Sequence, residues 1–189
     1  MMPSGYFSQP ILFLIEVLFG LYMGIVALRI IMQWAHWEYH NPLVQLIIRA
    51  TQIPVKFLRH FIPPFGRWDT ATLVLLVALA ILKLLLMALL LPNLFNVVVI
   101  LSLAVADIFS LFITLFSASI IIQVILSWIQ PHNSYNPITP LISRMNAPLL
   151  RPLRQRLPTM GGLDLSPLIA LLGLQLLSML VLPLLTGGL

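Results

Sequence analysis

Residues 70–91, TATLVLLVALAILKLLLMALLL, decide the fold of this chain. The stretch contains one charged side chain, Lys83, and otherwise almost only aliphatic residues. A helix needs about 20 predominantly apolar residues to cross a bilayer core of about 30 Å. The stretch therefore predicts a membrane-spanning helix.

Three further apolar stretches predict three more spans, at residues 11–34, 104–128 and 166–186. Pro92 and Asn93 predict a turn after the second span, because proline cannot continue a helix. The next apolar run covers residues 94–128, which is too long for one upright span and too short for two spans and a turn. We interpret residues 94–103 as a connecting segment, either a turn or a helix, before a tilted third span.

The composition agrees with a membrane protein. Of the 189 residues, 60% are apolar and 8% are charged, and the mean hydropathy is +1.06. Soluble domains carry roughly a quarter charged residues, so a soluble enzyme, a disordered chain and a nucleic-acid binder are all excluded. The chain has no cysteine, which excludes disulfides, thiolate metal sites and thiol nucleophiles.

The net charge of +5 is confined to two loops. The loop after the first span carries +2 and the loop after the third span carries +3, while the charges inside the spans cancel. Short loops rich in Lys and Arg stay in the cytoplasm. The sequence therefore predicts a multi-pass membrane protein with both basic loops cytoplasmic and both termini on the opposite side of the membrane.

The chain contains an internal repeat, because the two loops align without a gap at an offset of 95 residues. The matched positions are Asn41-Pro42 with Asn136-Pro137, Arg49 with Arg144, Lys56 with Arg151, Leu58-Arg59 with Leu153-Arg154, Pro63 with Pro158, Gly66 with Gly161, and Asp69 with Asp164. Upstream the offset is 94, which pairs Trp34 with Trp128. We predict an all-α integral membrane protein of two tandem units, 1–93 and 94–189, each formed by a span, a basic interfacial loop and a span. Because each unit contains two spans, both units enter the membrane in the same orientation, and the repeat is therefore parallel.

The second unit carries motifs of a known family. It reads Ile125-Leu126-Ser127-Trp128, then Asn136-Pro137, then Ala147-Pro148-Leu149-Leu150-Arg151-Pro152-Leu153-Arg154, and finally Gly161-Gly162-Leu163-Asp164-Leu165-Ser166-Pro167. These motifs resemble the YggT family of small membrane proteins, called YlmG in other lineages and related to a plastid factor for cytochrome b maturation. The resemblance extends over essentially the whole chain in its two-unit proteobacterial form.

The first unit departs from the family pattern, since residues 63–70 lack the Ser-Pro step. Gln123 also stands where the second unit would often carry the arginine that the first unit keeps as Arg29. The resemblance implies a protein of the bacterial inner membrane, with its termini in the periplasm, that is linked to osmotic tolerance, membrane-complex assembly or envelope organisation. It implies no agreed molecular activity and no catalytic residues.

Both basic loops predict amphipathic helices. In the first loop an apolar stripe, formed by Leu46, Ile47, Ala50, Pro54, Phe57, Leu58 and Phe61, lies opposite a polar face formed by Gln45, Arg49, Gln52, Lys56 and Arg59. In the second loop Leu141, Ile142, Met145, Leu149 and Leu153 face away from Arg144, Arg151 and Arg154, and Arg156 follows. We expect these helices to lie in the membrane interface and to contact anionic lipid or a partner; the alternative is a loop packed on the span ends. Pro54 and Pro148 are each expected to divide their loop into two short helices.

Four charged residues lie inside the predicted spans, namely Glu16, Arg29, Lys83 and Asp107. A charge in a span needs a partner or a function. We favour a structural ion pair of Lys83 with Glu16 or Asp107, and the alternative is an ion or proton path. For Arg29 we favour snorkelling to the interface or binding of a lipid phosphate.

Asp69 and Asp164 stand where the second and fourth spans begin, and Ser166 and Pro167 suit an N-cap and a first helical position. The two carboxylates are also placed to pair with loop arginines. His36 and His40 are four residues apart, as in a helical metal-binding pair, but no suitable third ligand is spaced to complete a site. We therefore favour an interfacial belt of Trp and His, and we predict neither a metal nor a cofactor.

Three classes of function fit these observations. We favour a non-enzymatic scaffold or assembly factor that contacts anionic lipid and either a membrane complex or further copies of itself. The alternative is an oligomeric ion or solute conductor, for example for potassium. An intramembrane enzyme is disfavoured because the sequence has no catalytic motif, and nothing in it indicates binding of nucleic acid.

Overall fold

A computed structural model describes residues 8–62, 69–90, 96–129, 136–156 and 164–187. All regular structure in these ranges is helical. The six helices are α1 (Ser8–Trp34), α2 (Pro42–Phe61), α3 (Thr70–Leu90), α4 (Val97–Ile129), α5 (Ile138–Arg156) and α6 (Ser166–Leu185). Four of them, α1, α3, α4 and α6, are long and apolar enough to cross a membrane. The all-α fold with four spans is confirmed.

The third span begins earlier than 104. Residues from Val97 onward are continuous with α4, which has 33 residues, so the part of the connecting segment that the structure describes is mostly helix. The Asn96 side chain accepts a hydrogen bond from the Val98 backbone N–H at 3.0 Å, which caps the first turn. A helix of this length measures about 50 Å, so it tilts or extends beyond the bilayer core. The predicted turn at Pro92 and Asn93 lies outside the described residues.

The expectation that proline divides each basic loop is wrong. Pro54 lies inside α2, and Pro148 and Pro152 lie inside α5, and both helices are continuous. In α2, Pro54 has no N–H to donate to the carbonyl of Ala50 four residues earlier. The Tyr22 hydroxyl of α1 lies 3.5 Å from that carbonyl oxygen and can donate to it. Packing against the spans thus holds a helix that proline would weaken in isolation.

Both basic helices begin with the same cap. The Asn41 side chain accepts a hydrogen bond from the backbone N–H of Leu43 at 2.9 Å, and the Asn136 side chain accepts one from Ile138 at 2.9 Å. In each case the residue between them is proline, which is the first residue of α2 and directly precedes α5, where no N–H is needed. The repeated Asn-Pro pair is therefore a helix-start signal. The further repeat positions at Pro63, Gly66, Pro158 and Gly161 lie outside the described residues.

Three clusters of buried side chains form the core: one lies mainly in the first unit but includes Ala104 of α4, one lies in the second unit, and a third joins the two units. In the first unit α1 packs against α3 through small residues, among them Ala27, Ala71 and Ala80, which let the helices approach closely. In the second unit Ile120, Leu150, Ala170 and Leu174 connect α4, α5 and α6. The joining cluster contains Ile31, Met32, Trp37, Val44, Ile47, Leu141 and Met145. It lies between the C-terminal end of α1, α2 and α5.

Candidate functional site

The two basic helices lie on the same side of the bundle and are linked directly. The Asn41 side-chain amide donates to the carbonyl of Pro137 at 2.7 Å. Arg144 donates to the Glu38 carboxylate at 2.5 Å and to the carbonyl of His36 at 2.9 Å. These contacts connect the start of each basic helix to the opposite unit, so α2 and α5 form one polar end of the molecule.

Helix α2 has three faces instead of the two that its sequence predicts. Its buried face, formed by Val44, Ile47, Thr51 and Val55, packs on the spans. A second apolar face is exposed and contains Leu46, Ile53, Phe57 and Phe61. The polar residues Gln45, Arg49, Gln52 and Lys56 form the third face and are exposed. The single predicted stripe was wrong because some of its members, such as Ile47, turn toward the protein, whereas others remain free for lipid.

Helix α5 lacks the exposed apolar face of α2. It buries Leu141, Ile142, Met145, Asn146 and Leu150 against the bundle, and the other members of the predicted stripe, Leu149 and Leu153, are half-buried there. The expectation that this stripe lies in the membrane interface is therefore wrong, and the helix packs on the spans as the alternative had it. At the positions equivalent to Ile53 and Phe57 it carries Pro148 and Pro152, and Arg156 replaces Phe61. The two basic helices therefore differ in how much apolar surface they offer to a membrane.

The basic residues of the two helices fall into two groups. Arg59, Arg144 and Arg154 each pair with a carboxylate, although about half of each side chain is exposed. The second group is exposed and has no ion-pair partner among the described residues; it consists of Arg49, Lys56, Arg151 and Arg156. This second group is the part of the basic surface that is free to meet lipid or a partner.

Arg29 is buried where α1 meets α2. Only 6% of it is exposed. One of its terminal nitrogens donates to the Thr51 hydroxyl at 2.7 Å and lies 3.4 Å from the carbonyl of Ile48, and the other lies 3.8 Å from the Asp69 carboxylate. The structure thus brings this intramembrane charge together with a residue of the basic loop and one at the start of α3.

Asp69 connects the basic helix to the second span, as the sequence predicts. Its carboxylate accepts two hydrogen bonds from Arg59, at 3.2 and 2.5 Å, and one from the Thr72 hydroxyl at 2.8 Å. Burial raises the pKa of Asp69, but the hydrogen bonds from Arg59 and Thr72 outweigh it and hold the pKa below its ordinary value. The same hydrogen bond raises the pKa of Arg59.

The second unit repeats this connection in a more exposed form. Arg154 donates to the Asp164 carboxylate at 2.8 Å, and the Ser166 backbone N–H donates to the same carboxylate at 3.0 Å. Burial raises the pKa of Asp164, but the hydrogen bonds from Ser166 and Arg154 outweigh this effect and hold the pKa below its ordinary value. Ser166 is the first residue of α6 and not its N-cap. The predicted cap was wrong because Asp164 supplies the acceptor for the first helical N–H.

The buried position of Arg29 has a neutral counterpart in the second unit. Gln123 and Asn146 occupy the positions equivalent to Arg29 and Thr51. The Asn146 amide donates to the Gln123 side-chain oxygen at 2.8 Å, and the Ser119 hydroxyl donates to Asn146 at 2.6 Å. The second unit therefore makes the same connection between span and basic helix without a charge.

The remaining intramembrane charges are separated. Lys83 forms an ion pair with Asp107, with 2.5 Å between Nζ and Oδ2, which confirms the predicted pairing and selects Asp107 over Glu16. Glu16 is exposed on α1. The described charges therefore do not form one continuous line through the spans.

His36 and His40 do not share a helical face. Helix α1 ends at Trp34, and His36 has a left-handed backbone with φ of 51°. Glu38, between them, pairs with Arg144. Within the described ranges no group of three or more His, Asp or Glu is placed to hold a metal ion.

Sequence reasoning missed three polar residues that the structure makes central. Thr51 and Asn146 are buried on otherwise apolar helix faces, and the repeat offset aligns them with each other. A polar residue at the same repeat position on both apolar faces could have indicated a buried hydrogen-bonding site. Glu38 carried no such signal, because its partner Arg144 is 106 residues away and belongs to the other unit.

Comparison with known proteins places these features in a family. The profile of the family described as CCB3/YggT matches the chain twice, over residues 8–90 and 102–185. An uncharacterised protein of Pseudomonas aeruginosa is 40% identical over 183 residues, which cover 90% of this chain and 87% of that protein. The Escherichia coli K12 protein named YggT is 35% identical over 171 residues, covering 88% and 86%. An uncharacterised protein of Haemophilus influenzae is 31% identical over 180 residues, covering 95% of each chain.

No solved structure matches the chain. The relatives match along most of their own length, and each of the two profile matches contains a span, a basic helix and a span. The chain is therefore a multi-pass membrane protein that belongs to the CCB3/YggT family.

Proposed function

We propose that the protein is a non-enzymatic scaffold of the bacterial inner membrane, which organises anionic lipid and a partner membrane complex through α2 and α5. One observation carries this proposal: the two basic helices are joined on the same side of the bundle. The link of Asn41 to Pro137 and that of Arg144 to Glu38 hold them together. A rigid, positively charged platform of this kind suits binding to an extended acidic surface.

The orientation belongs to the same proposal. Lys and Arg in short loops favour the cytoplasmic side, so the platform faces the cytoplasm and both termini face the periplasm. Anionic lipid headgroups then attract each exposed cation by about 1 kcal/mol. We also propose a link to osmotic-stress tolerance, which follows from the family resemblance and not from the geometry.

The internal charges favour a scaffold over the alternative, an oligomeric ion or solute conductor. A conducting path needs charged groups that can exchange partners with a passing ion. Lys83 is held by Asp107 between two spans. This arrangement supports a structural role for the pair.

The test reverses the charge of the exposed residues that have no described ion-pair partner. The variant carries Arg49→Glu, Arg151→Glu and Arg156→Glu, and its matched control carries Lys at the same three positions. We expect the wild type and the Lys control to co-purify with a larger membrane complex at fixed stoichiometry and to support survival of osmotic shock. The Glu variant is expected to lose both at an equal protein level.

Two results would contradict the scaffold. One is an unchanged complex and unchanged survival in the Glu variant. The other is a wild-type protein that purifies only as a homo-oligomer and passes ions in liposomes, which would favour the conductor.

A further inference from the structure

A cavity of about 320 Å³ lies between α1 and α2 in the first unit. Its lining combines three basic residues, two aliphatic residues and one amide, and it consists of Arg29, Ile48, Gln52, Val55, Lys56 and Arg59. We refer to it as the α1–α2 cavity. Basic pockets between spans, at the level of the headgroups, suit the binding of anionic lipid.

Arg29 is the buried member of this lining and has an unused donor. Its terminal nitrogens are directed to Thr51, Ile48 and Asp69. Its Nε is buried and has no hydrogen-bond partner in the described part of the chain. The terminal nitrogen nearest Asp69 lies 3.8 Å from that carboxylate, which is beyond hydrogen-bond distance. The guanidinium is therefore incompletely satisfied, which is costly for a buried charge.

The charges at the cavity do not balance. Arg29, Lys56 and Arg59 contribute three positive charges, and Asp69 is the one carboxylate that any of them contacts among the described residues. That carboxylate is already occupied by two hydrogen bonds from Arg59 and one from Thr72. The cavity therefore keeps an excess of positive charge at the edge of the spans, where an anion would be attracted.

The second unit makes the equivalent connection without a charge. Gln123 and Asn146 are neutral, and Asn146 donates to Gln123 and accepts from Ser119. A charged, incompletely satisfied arginine in the first unit therefore calls for a role of its own. Ligand binding supplies one.

We propose that the α1–α2 cavity binds a phosphate group. The exposed Lys56 ammonium can donate charge-assisted hydrogen bonds to phosphate oxygens, the uncompensated charge of the two arginines adds to the attraction, and Ile48 and Val55 provide an apolar wall for attached carbon chains. The phosphate belongs either to an anionic phospholipid or to a soluble phosphate. The proposal differs from the scaffold function because it requires the buried Arg29, and Lys56 is the one exposed basic residue that the site shares with the scaffold surface.

The test measures binding to the full-length, delipidated protein in detergent. One arm titrates short-chain phosphatidylglycerol and the other titrates inorganic phosphate. The main variant, Arg29→Gln with Thr51→Asn, copies the neutral pair of the second unit and leaves the exposed basic residues unchanged. We expect it to raise the Kd by about tenfold or more, as loss of a charge-assisted hydrogen bond predicts.

Two single variants complete the design. Lys56→Gln removes an exposed cation of the lining without touching the core, so it remains informative if the double variant does not fold; we expect the Kd to rise about fivefold. Arg49→Gln removes an exposed cation of the same helix that does not line the cavity, and we expect a change of about twofold or less. Tighter binding of phosphatidylglycerol identifies a lipid, and tighter binding of inorganic phosphate identifies a soluble ligand.

The proposal is overturned if the wild type binds neither probe. It is also overturned if the folded double variant binds as tightly as the wild type. If the double variant does not fold, wild-type affinity of Lys56→Gln overturns it. Equal weakening by Arg49→Gln would show general attraction to the basic surface and would overturn the defined site as well. Loss of the scaffold phenotype in the Glu variant does not bear on any of these outcomes.

Discussion

Lys83 of α3 and Asp107 of α4 form an ion pair at the seam between the two repeated units, with 2.5 Å between their charged atoms. The Lys83 side chain is 9% exposed and that of Asp107 is 31% exposed. The pair therefore connects the last span of the first unit to the first span of the second.

The repeat does not reproduce this pair elsewhere. Ser178 is the counterpart of Lys83, and Phe13 is the counterpart of Asp107. Phe13 is 64% exposed, as expected for a surface that faces lipid. The charged pair is thus specific to the internal seam, which favours a role in holding the units together.

Lys83→Met is expected to destabilise the protein, because it leaves Asp107 without its partner in a span. The cost of an unpaired charge there is about 3 kcal/mol, measured as a lower free energy of unfolding in an SDS titration. Adding Asp107→Asn is expected to recover much of the loss. A single variant that is as stable as the wild type but changes ion flux in liposomes would refute the structural role.

The two Asp–Arg connections provide an internal control for burial. The Asp69 side chain is 4% exposed and that of Asp164 is 40% exposed. Asp69→Asn is therefore expected to lower the free energy of unfolding by about 3 kcal/mol or more, and Asp164→Asn by about 1 kcal/mol or less. Equal losses in the two variants would show that burial does not set the strength of these connections.

Stability is expected to fall in acid because of the same two carboxylates. Their pKa values in the folded protein lie below the ordinary value of 3.8. The unfolded chain then binds more protons in the interval between the folded and ordinary pKa values, so their contribution is present above about pH 4 and is lost as the pH falls through the folded values. Thermal unfolding in detergent at decreasing pH measures this slope. The double variant with Asp69→Asn and Asp164→Asn should flatten it, and an unchanged slope would assign the acid sensitivity to other groups.

The orientation can be tested because the chain has no cysteine. Gln9→Cys lies near the start of α1, and Gln155→Cys lies near the end of the basic helix α5; both positions are exposed. In intact cells with a permeabilised outer membrane, an impermeant maleimide is expected to label Gln9→Cys alone. Labelling of Gln155→Cys under the same conditions would reverse the proposed topology.

Much of the fold could be predicted from sequence because the spans are determined by apolar length. Four stretches long enough to cross a bilayer leave few alternatives, and the repeated loop pattern predicts one basic helix after the first span and one after the third. The N-terminal limit of α4 was missed because residues 97–103 are as apolar as the span that they extend. Hydropathy alone cannot separate a connecting helix from a span in such a run.

The candidate site was less accessible to sequence reasoning. The pairing of Asp69 with Arg59 and of Asp164 with Arg154 could be predicted, because both partners lie ten residues apart in a repeated pattern. The contact of Arg144 with Glu38 depends on how the units pack, which periodicity does not report. The division of the apolar residues of α2 into a buried and an exposed face likewise depends on where α1 and α3 lie.

The exposed apolar face of α2 leads to the last prediction. Ile53, Phe57 and Phe61 form this face, and the rings of Phe57 and Phe61 pack edge to face with 5.4 Å between their centroids. An amphipathic helix with such a face lies in the interface with its apolar side in the acyl region. Helix α5 has Pro152 and Arg156 at the positions of the two phenylalanines, so it is expected to lie at a shallower depth.

Nitroxide labels on single cysteines can measure this difference in liposomes. A label at Phe57→Cys is expected to be accessible to oxygen, which partitions into lipid, and shielded from a water-soluble nickel relaxant. Labels at Gln52→Cys on the polar face of α2 and at Arg156→Cys of α5 are expected to show the reverse. If all three labels are equally accessible to the nickel relaxant, α2 does not insert its phenylalanine face, and the helix is held only by its buried contacts with the spans.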